Sequence, residues 1–528
     1  MTPSDGLGDP GNGAGDDADP VALSADVVIV GAGNSASCAA LAAAERGASV
    51  LMLERAPFDE RGGNTRFTAG SMRVVYDGLD DILELVPDLT PSEIETSDFG
   101  TYPAETFMAD LARMTEWRTD PDLADLVVSR SHETLKWMRS KGVRFVPIYH
   151  RQAYRIDGRF KFWGGLTIEA AGGGPGLVDA LAAATEAAGV KTVYDARALR
   201  LLADDDGVWG LVAKIKGRTC QVRARSVVLA AGGSEANPEW RSRYLGSNWE
   251  LAKVRGTRFN TGDGIRMALD IGAAPYGQWS GAHAVSWDRN ASEFGDLAIG
   301  DHYQKHSYPL GIMVNAEGRR FVDEGADFRN YTYARYGREV LAQTAQMAWQ
   351  VFDARVTDLL RQEYRIRQVT KVSADSLDEL AHKLEGVDPE GFLEMVAAYN
   401  AAIDQDVAFN PNVLDGRGTR GVVPAKTNWA NPIDTPPFEA YQVTCGVTFT
   451  FGGLRVSTGG AVLDEELAPI GGLFACGELV GGLFYFNYPG GSGLTAGSVI
   501  GRAAGANAAG VALARGAAEP ARVDGARG

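Results

Sequence analysis

The chain has 528 residues, 45% hydrophobic and 23% charged, and at roughly 150 residues per domain that is enough for a large buried core. A formal charge of −17 excludes nucleic acid as the expected partner, because a polyanion is held by a basic face. No apolar run reaches the length that spans a bilayer, so the protein is not expected to be membrane-embedded. Cys38, Cys220, Cys445 and Cys476 are scattered without a CxxC pair, which argues against a zinc ribbon, a cysteine-held cluster or a disulfide framework and suits a reducing cytosol.

Residues 1–24 carry Asp5, Asp9, Asp16, Asp17 and Asp19 but no Lys or Arg, the composition of a disordered tail. They hold no basic stretch followed by an apolar one, so no secretory signal is read and a cytoplasmic protein is expected. Asp26 then opens DVVIVGAG, a run apolar enough for a buried parallel strand. An alanine-rich helix (34–46) follows, Gly47 stops it, and ASVLMLE (48–54) reads as a second buried strand. Within this βαβ unit Gly31, Gly33 and Ala36 form GxGxxA. Gly31 permits the tight turn, Gly33 lets backbone approach a pyrophosphate at the helix N-terminus, and Ala36 lets the helix pack close to the strand. Glu54 ends the second strand 23 positions after Gly31, close to the spacing of an acid that hydrogen-bonds a ribose. A bound dinucleotide is therefore expected, with Arg55 among its contacts.

Farther along, residues 80–142 read as mostly helical, including 121–140, and 191–230 as short strands with turns. Helices are expected at 262–272, 351–367, 376–384 and 389–403, and a strand, turn and helix at 472–506. Buried parallel strands at both ends of the chain point to one discontinuous α/β domain interrupted by an insertion.

The chain contains 65 glycines, about one residue in eight, and many of them cluster in loops. RGGNTRFTAGS (61–71), VVLAAGG (227–233), NTGDGIRMA (260–268) and GLFACGELVGG (472–482) resemble, in this order, the cofactor loops of the fumarate reductase and succinate dehydrogenase flavoprotein family. The resemblance implies a Rossmann-like, glutathione-reductase-type FAD-binding domain over 25–280 plus 435–507. It also implies an inserted α+β substrate-capping domain over 281–434, with a flexible tail over 508–528. It assigns FAD contacts to Gly62, Gly63, Asn64, Thr65, Gly70, Ala231, Gly232, Gly233 and Asp263. Glu478 is implied at the ribityl chain, with Gly493 and Leu494 at the isoalloxazine. Residues 58–75 contain no histidine, so the FAD is expected to be non-covalent.

GIMVNAEGRRFVDEGADFRN (311–330) is similar to the family segment that leads to a proton-exchanging arginine, which makes Arg329 the implied catalytic residue. An arginine fills such a role only if desolvated and linked to a relay; otherwise it clamps a carboxylate. Where fumarate reductases grip a dicarboxylate with histidine and arginine, this chain has Phe449 and Tyr488. Tyr488 in YPGG resembles instead the 3-ketosteroid dehydrogenases, whose tyrosine at this place polarises a carbonyl. FWGG (162–165), GGGPGLV (172–178), KHSYP (305–309) and VDEGADFRN (322–330) resemble the tricarballylate dehydrogenase branch, which has histidine where this chain has Phe486.

His306 is read as a catalytic relay or carboxylate ligand, and Thr448, His283 and Arg258 as substrate contacts. Arg255 and Arg258 also suit phosphate or nearby acids, Trp163 and Glu169 suit packing around the site, and His132, His150, His302 and His382 show no constellation. No metal site is read. The expected activity is an FAD-dependent dehydrogenase acting on a CH–CH bond α,β to a carboxylate or carbonyl of a small molecule, with a tricarballylate-like polycarboxylate first. The alternatives are an enoate reductase, a 3-ketosteroid-type dehydrogenase, or an electron-transfer flavoprotein subunit. Quinone, an iron–sulfur protein and oxygen are all open as electron acceptors.

Overall fold

The structure, a computed structural model, describes residues 23–149, 151–163 and 165–518. His150, Gly164, residues 1–22 of the acidic tail and everything after 518 lie outside these residues.

The first strand, Leu23–Val30, runs parallel to Val50–Leu53 on one side and to Arg218–Leu229 on the other. Lys191–Val193 and Pro469–Ala475 extend the parallel set at its two flanks. Val27, Val28 and Ile29 are fully buried, because helices cover both faces of such a sheet. The expected α/β class is therefore the one that forms. The strands Ala196–Asp204 and Gly207–Ile215 add an antiparallel hairpin that leads into Arg218–Leu229 and helps bring the sheet to eight strands. Pro469–Ala475 joins from more than two hundred residues downstream of its neighbour.

The helix Asn34–Glu45 lies against Ser492–Ala518 at backbone range. A Cβ at Gly505 would run into the Ala39 carbonyl, and one at Gly501 into that of Ser35. Asn34 Nδ2 donates to the Leu494 carbonyl and to Ser498 Oγ, both at 2.9 Å. The flexible tail expected from 508 gives way to helix as far as Ala518, because Ala508, Ala509 and Ala512 form a fully buried small-residue face.

The long strand Phe438–Thr450 is the spine of a second, six-stranded sheet. It pairs antiparallel with Ala282–Asp288, Ala348–Phe352 and Lys371–Ala374, and parallel with Lys253–Val254. The boundaries read at 280 and 435 thus separate strands that pair in one sheet. The helix expected over 351–367 is instead the end of Ala348–Phe352 followed by 3-10 turns at Ala354–Leu359 and Gln362–Tyr364. Short apolar runs fit either period, and here Asp353 caps the turn by accepting from Arg355 N at 2.9 Å. Among the described residues no helix is long and apolar enough to cross a membrane.

Gly505→Val is expected to cost about 1–3 kcal/mol, because the contact with Ala39 has no room for a branched side chain. Thermal unfolding checks this, and an unchanged midpoint would mean that the two helices are not held at backbone contact.

Candidate active site

A cavity of about 250 Å³ opens between the two sheets. One end is built by the βαβ unit and the glycine loops. Gly31 holds φ +114°, and a Cβ there would meet the Ala230 carbonyl, so the turn requires glycine. Gly33 caps the helix Asn34–Glu45 without any side-chain bond. Gly33, Asn34 and Ser35 line the cavity, with the helix N-terminus presented to an anion. Glu54 reaches the same wall, its Oε1 accepting from Ala56 N at 2.8 Å, and burial raises its proton affinity. Asp263 holds Arg55 at 3.1 Å and Arg197 at 2.7 Å, and all three residues line the cavity.

Asn64 organises the middle of the wall. Its Oδ1 accepts from Thr257 N at 2.9 Å, while Nδ2 donates to Glu235 Oε1 at 2.7 Å and to the Thr448 carbonyl at 2.8 Å. Glu478 Oε1 accepts from Thr450 N at 2.9 Å. These donors, acceptors and close backbones suit FAD: Glu54 offers an acceptor for a ribose, the helix start suits the pyrophosphate, and Asn64 and Glu478 offer polar partners for a polyol chain. Gly62, Gly63, Thr65, Ala231, Gly232, Gly493 and Leu494 also line the cavity. Ala36, Gly70 and Gly233 stand behind the wall: Ala36 is fully buried in its helix, Gly70 abuts Gly173, and Gly233 abuts Glu478.

The other end is cationic. Arg151, Arg255, Arg329 and Arg361 all reach the cavity, with Gln152 and Gln304 beside them. Arg151 pairs with Asp301 at 2.8 Å and Arg361 with Glu363 at 2.8 Å, although Arg361 Nη1 is buried without a partner. Arg255 and Arg329 have no carboxylate within ion-pair distance among the described residues. Arg255 Nη1 donates to Thr448 Oγ1 at 3.4 Å. Arg329 Nη2 donates to the Arg151 carbonyl at 3.3 Å, and its guanidinium lies 5.2 Å from the Tyr333 ring centre. Burial, then the Arg361 charge, lowers the Arg329 pKa to about 9. Two acids close to Arg329 in the chain are engaged elsewhere, Glu324 with Arg320 and Asp327 with Arg113.

Next to the arginines, Tyr333 and Tyr488 share a hydrogen bond of 2.5 Å between hydroxyls. Tyr488 is held well above its ordinary pKa by burial and by Tyr333, so it stays protonated. His283 packs against Tyr333, Phe449 and Tyr488 at centroid distances of 4.9–5.0 Å. Both of its ring nitrogens are buried without partners, and burial followed by the Arg255 charge keeps it neutral. Unpartnered buried polar atoms facing a cavity are open to a ligand's hydrogen bonds.

The structure thus brings Arg329, Tyr488, Thr448 and His283 together. His306 does not line the cavity; it stands behind Tyr333, ring centres 4.8 Å apart, because KHSYP turns inward under the helix Arg329–Leu341. Arg258 is also elsewhere, paired with Glu60 at 2.8 Å on the surface and stacked on Phe259. Sequence reasoning did not single out Arg151, Arg361, Tyr333, Gln152 or Glu235. Glu169 does not line the cavity; burial, opposed by Arg151, pushes its pKa up to about 7, and its Oε2 has no hydrogen-bond partner.

Residues 26–494 match the protein family described as FAD binding domain. The chain is 28% identical over 496 residues to a probable fumarate reductase of Shewanella frigidimarina, covering 92% of this chain and 75% of that protein. It is similar to the open conformation of a flavocytochrome c3 fumarate reductase, with TM-score 0.71 and 27% identity over 94% of this chain and 80% of the other. It shares a fold with the 3-ketosteroid delta1-dehydrogenase from Sterolibacterium denitrificans, with TM-score 0.71 and 23% identity over 92% and 99% of the two chains.

Glu54→Ala is expected to weaken FAD binding about 10- to 100-fold, the usual worth of a hydrogen bond to a charged or buried acceptor. Fluorescence titration of FAD into apoprotein measures it; unchanged affinity would remove Glu54 from the cofactor.

Proposed function

The chain belongs to the FAD binding domain family, among the fumarate reductase/succinate dehydrogenase flavoproteins, and is an FAD-dependent oxidoreductase; from that premise we propose that it moves a hydride and a proton across a C–C bond beside a carboxylate. The observation that carries this reading is the pair of buried guanidinium groups, Arg255 and Arg329, facing the cavity without acidic partners. An unpaired buried charge is costly, and a substrate carboxylate relieves that cost. With Arg151 and Arg361 at the same end, the first substrate is a polycarboxylate of the tricarballylate type. FAD, when bound, accepts or returns the hydride and is held without a covalent bond.

The residues divide the remaining work. Arg255, Arg361 and Thr448 bind carboxylate oxygens, guanidinium groups doing so in bidentate fashion. Arg329 exchanges the proton at the neighbouring carbon, since its lowered pKa of about 9 makes the neutral form accessible. Tyr488 remains protonated and donates its hydroxyl to a substrate oxygen, supported by Tyr333. His283, neutral and apolar on one face, excludes water between the arginines and Phe449. The reverse direction, reduction of an enoate, uses the same groups and is the second reading, favoured by the fumarate reductase relatives. A steroid substrate would leave the arginines unpaired, and an electron-transfer role would leave the cavity without purpose.

Anaerobic titration decides the direction: saturated acids bleach the oxidised flavin if the enzyme is a dehydrogenase, and enoates restore colour to the reduced flavin if it is a reductase. Arg329→Lys is expected to lower kcat/KM at least 100-fold while the protein stays yellow, because a lysine reproduces neither the fork nor the proton affinity. Near-normal turnover would remove Arg329 from the mechanism. The charged form of Arg329 prevails below its pKa of about 9 and is lost as pH rises through it. As the base, Arg329 must start neutral, so turnover of a saturated acid should rise about tenfold per pH unit up to that value and level off above it, a limb that steady-state rates across pH will show or refute.

A further inference from the structure

Glu235 is fully buried and does not line the cavity, yet three cavity-lining side chains meet on it. Its Oε1 accepts from Asn64 Nδ2 at 2.7 Å and from Asn260 Nδ2 at 2.8 Å. The third is Glu478, whose carboxyl meets that of Glu235 around one amide: Asn260 Nδ2 reaches Glu235 Oε1 at 2.8 Å and Glu478 Oε2 at 3.4 Å. Glu235 Oε2 is buried without a hydrogen-bond partner. Glu478 faces the cavity with Oε1 held by Thr450 N at 2.9 Å and Oε2 3.4 Å from Asn260 Nδ2. Space around this cluster is closed: a Cβ at Gly232 would strike Asn260, one at Gly233 would strike Glu478, and one at Gly256 would strike Asn64.

We propose that Glu235 and Glu478 share one proton, and that Glu235 is the positioning residue which, through that proton and the two asparagines, holds the wall facing FAD. Glu235 is fully buried, its Oε2 has no donor, and its carboxyl shares Asn260 Nδ2 with that of Glu478; two ionised carboxylates so placed repel strongly, and one proton held between them relieves both the repulsion and the orphaned oxygen. Both carboxyl groups are held above the ordinary carboxylate range, burial first and then each other's charge acting on Glu478. The proton belongs to the pair and not to either residue. The nearest cation packed on Glu235 is Arg241, whose Nη1 donates to the Glu235 carbonyl while its other nitrogens go to the carbonyls of Trp249, Glu250 and Ala252. It therefore offers no direct bond to the carboxyl pair. Arg255, the other buried cation nearby, is turned to Thr448.

The consequence is a charge of minus one, not minus two, beside a cofactor that itself bears a diphosphate. Losing the shared proton would double that charge and break the contact that ties Glu478 to Glu235. FAD affinity is thereby linked to the proton, and each unit of pH above the titration of the pair weakens binding about tenfold.

The test uses the full-length protein with FAD and three forms: wild type, Glu235→Gln and Glu235→Ala. Glutamine supplies an N–H in place of the shared proton and keeps an oxygen for the two asparagines. Infrared spectra of the FAD-bound protein at pH 7, compared in H2O and D2O, should show one protonated carboxyl in wild type that Glu235→Gln lacks. FAD titrations should show affinity falling at alkaline pH in wild type, a flat profile for Glu235→Gln, and affinity at least tenfold weaker at every pH for Glu235→Ala. Identical carboxyl bands in wild type and Glu235→Gln, or identical pH profiles for the two, would overturn the shared proton. Wild-type affinity in Glu235→Ala would overturn the positioning role. Neither readout depends on which substrate the enzyme turns over.

Discussion

The contact between the first helix and the last is what the rest of the molecule leans on. Two backbones meet where Gly501 and Gly505 face Ser35 and Ala39, and Asn34 ties the start of one helix to Leu494 and Ser498 of the other. Because the fit is made by absent side chains, it has little capacity to relax. It fixes the N-terminus of the first helix beside the Gly493–Leu494 segment, and both line the same cavity. Two parts of one cavity wall are thus referenced to a single interface, although they are separated by more than 450 residues of chain.

The second sheet is referenced to the first in a similar way, through Phe438–Thr450. The last residues of that strand are cavity wall: Thr448 receives Arg255, Phe449 packs on His283, and Thr450 N binds Glu478. Thr448, Phe449 and Thr450 thus all line the cavity from one strand, along which successive side chains alternate in direction. A shift of register there would exchange their faces. The Asn64 bond to the Thr448 carbonyl pins that register from the cofactor side.

How far the sequence disclosed this depends on what kind of contact each residue makes. Glycines that allow backbone approach leave a mark in the chain, so Gly31, Gly33, Gly62 and the 477–482 loop were readable before any coordinates. Side chains whose importance lies in what they lack were not. Arg361, Arg151 and Tyr333 look like ordinary surface or core residues until segments far apart in the chain are brought to one cavity. Arg255 and Arg258 are three residues apart in VRGTRFN, and nothing in their type says which faces inward. The choice is made by Arg255 N bonding to the Val447 carbonyl, while Arg258 turns out to Glu60. The end of the strand Ala348–Phe352 and the turns after it were read as one helix over 351–367, because a short apolar run fits both periods and the strand's pairing partner lies some ninety residues away.

The uncompensated guanidinium groups carry one more implication. A site built this way is electrostatically tense until an anion enters, so part of the attraction for an anion is relief of the cost of burying Arg255 and Arg329 without acidic partners. Its selectivity then rests less on shape than on the number and spacing of negative charges a guest brings. Common inorganic anions become natural competitors, so the salt present in the cell or the assay acts as a silent participant in the reaction.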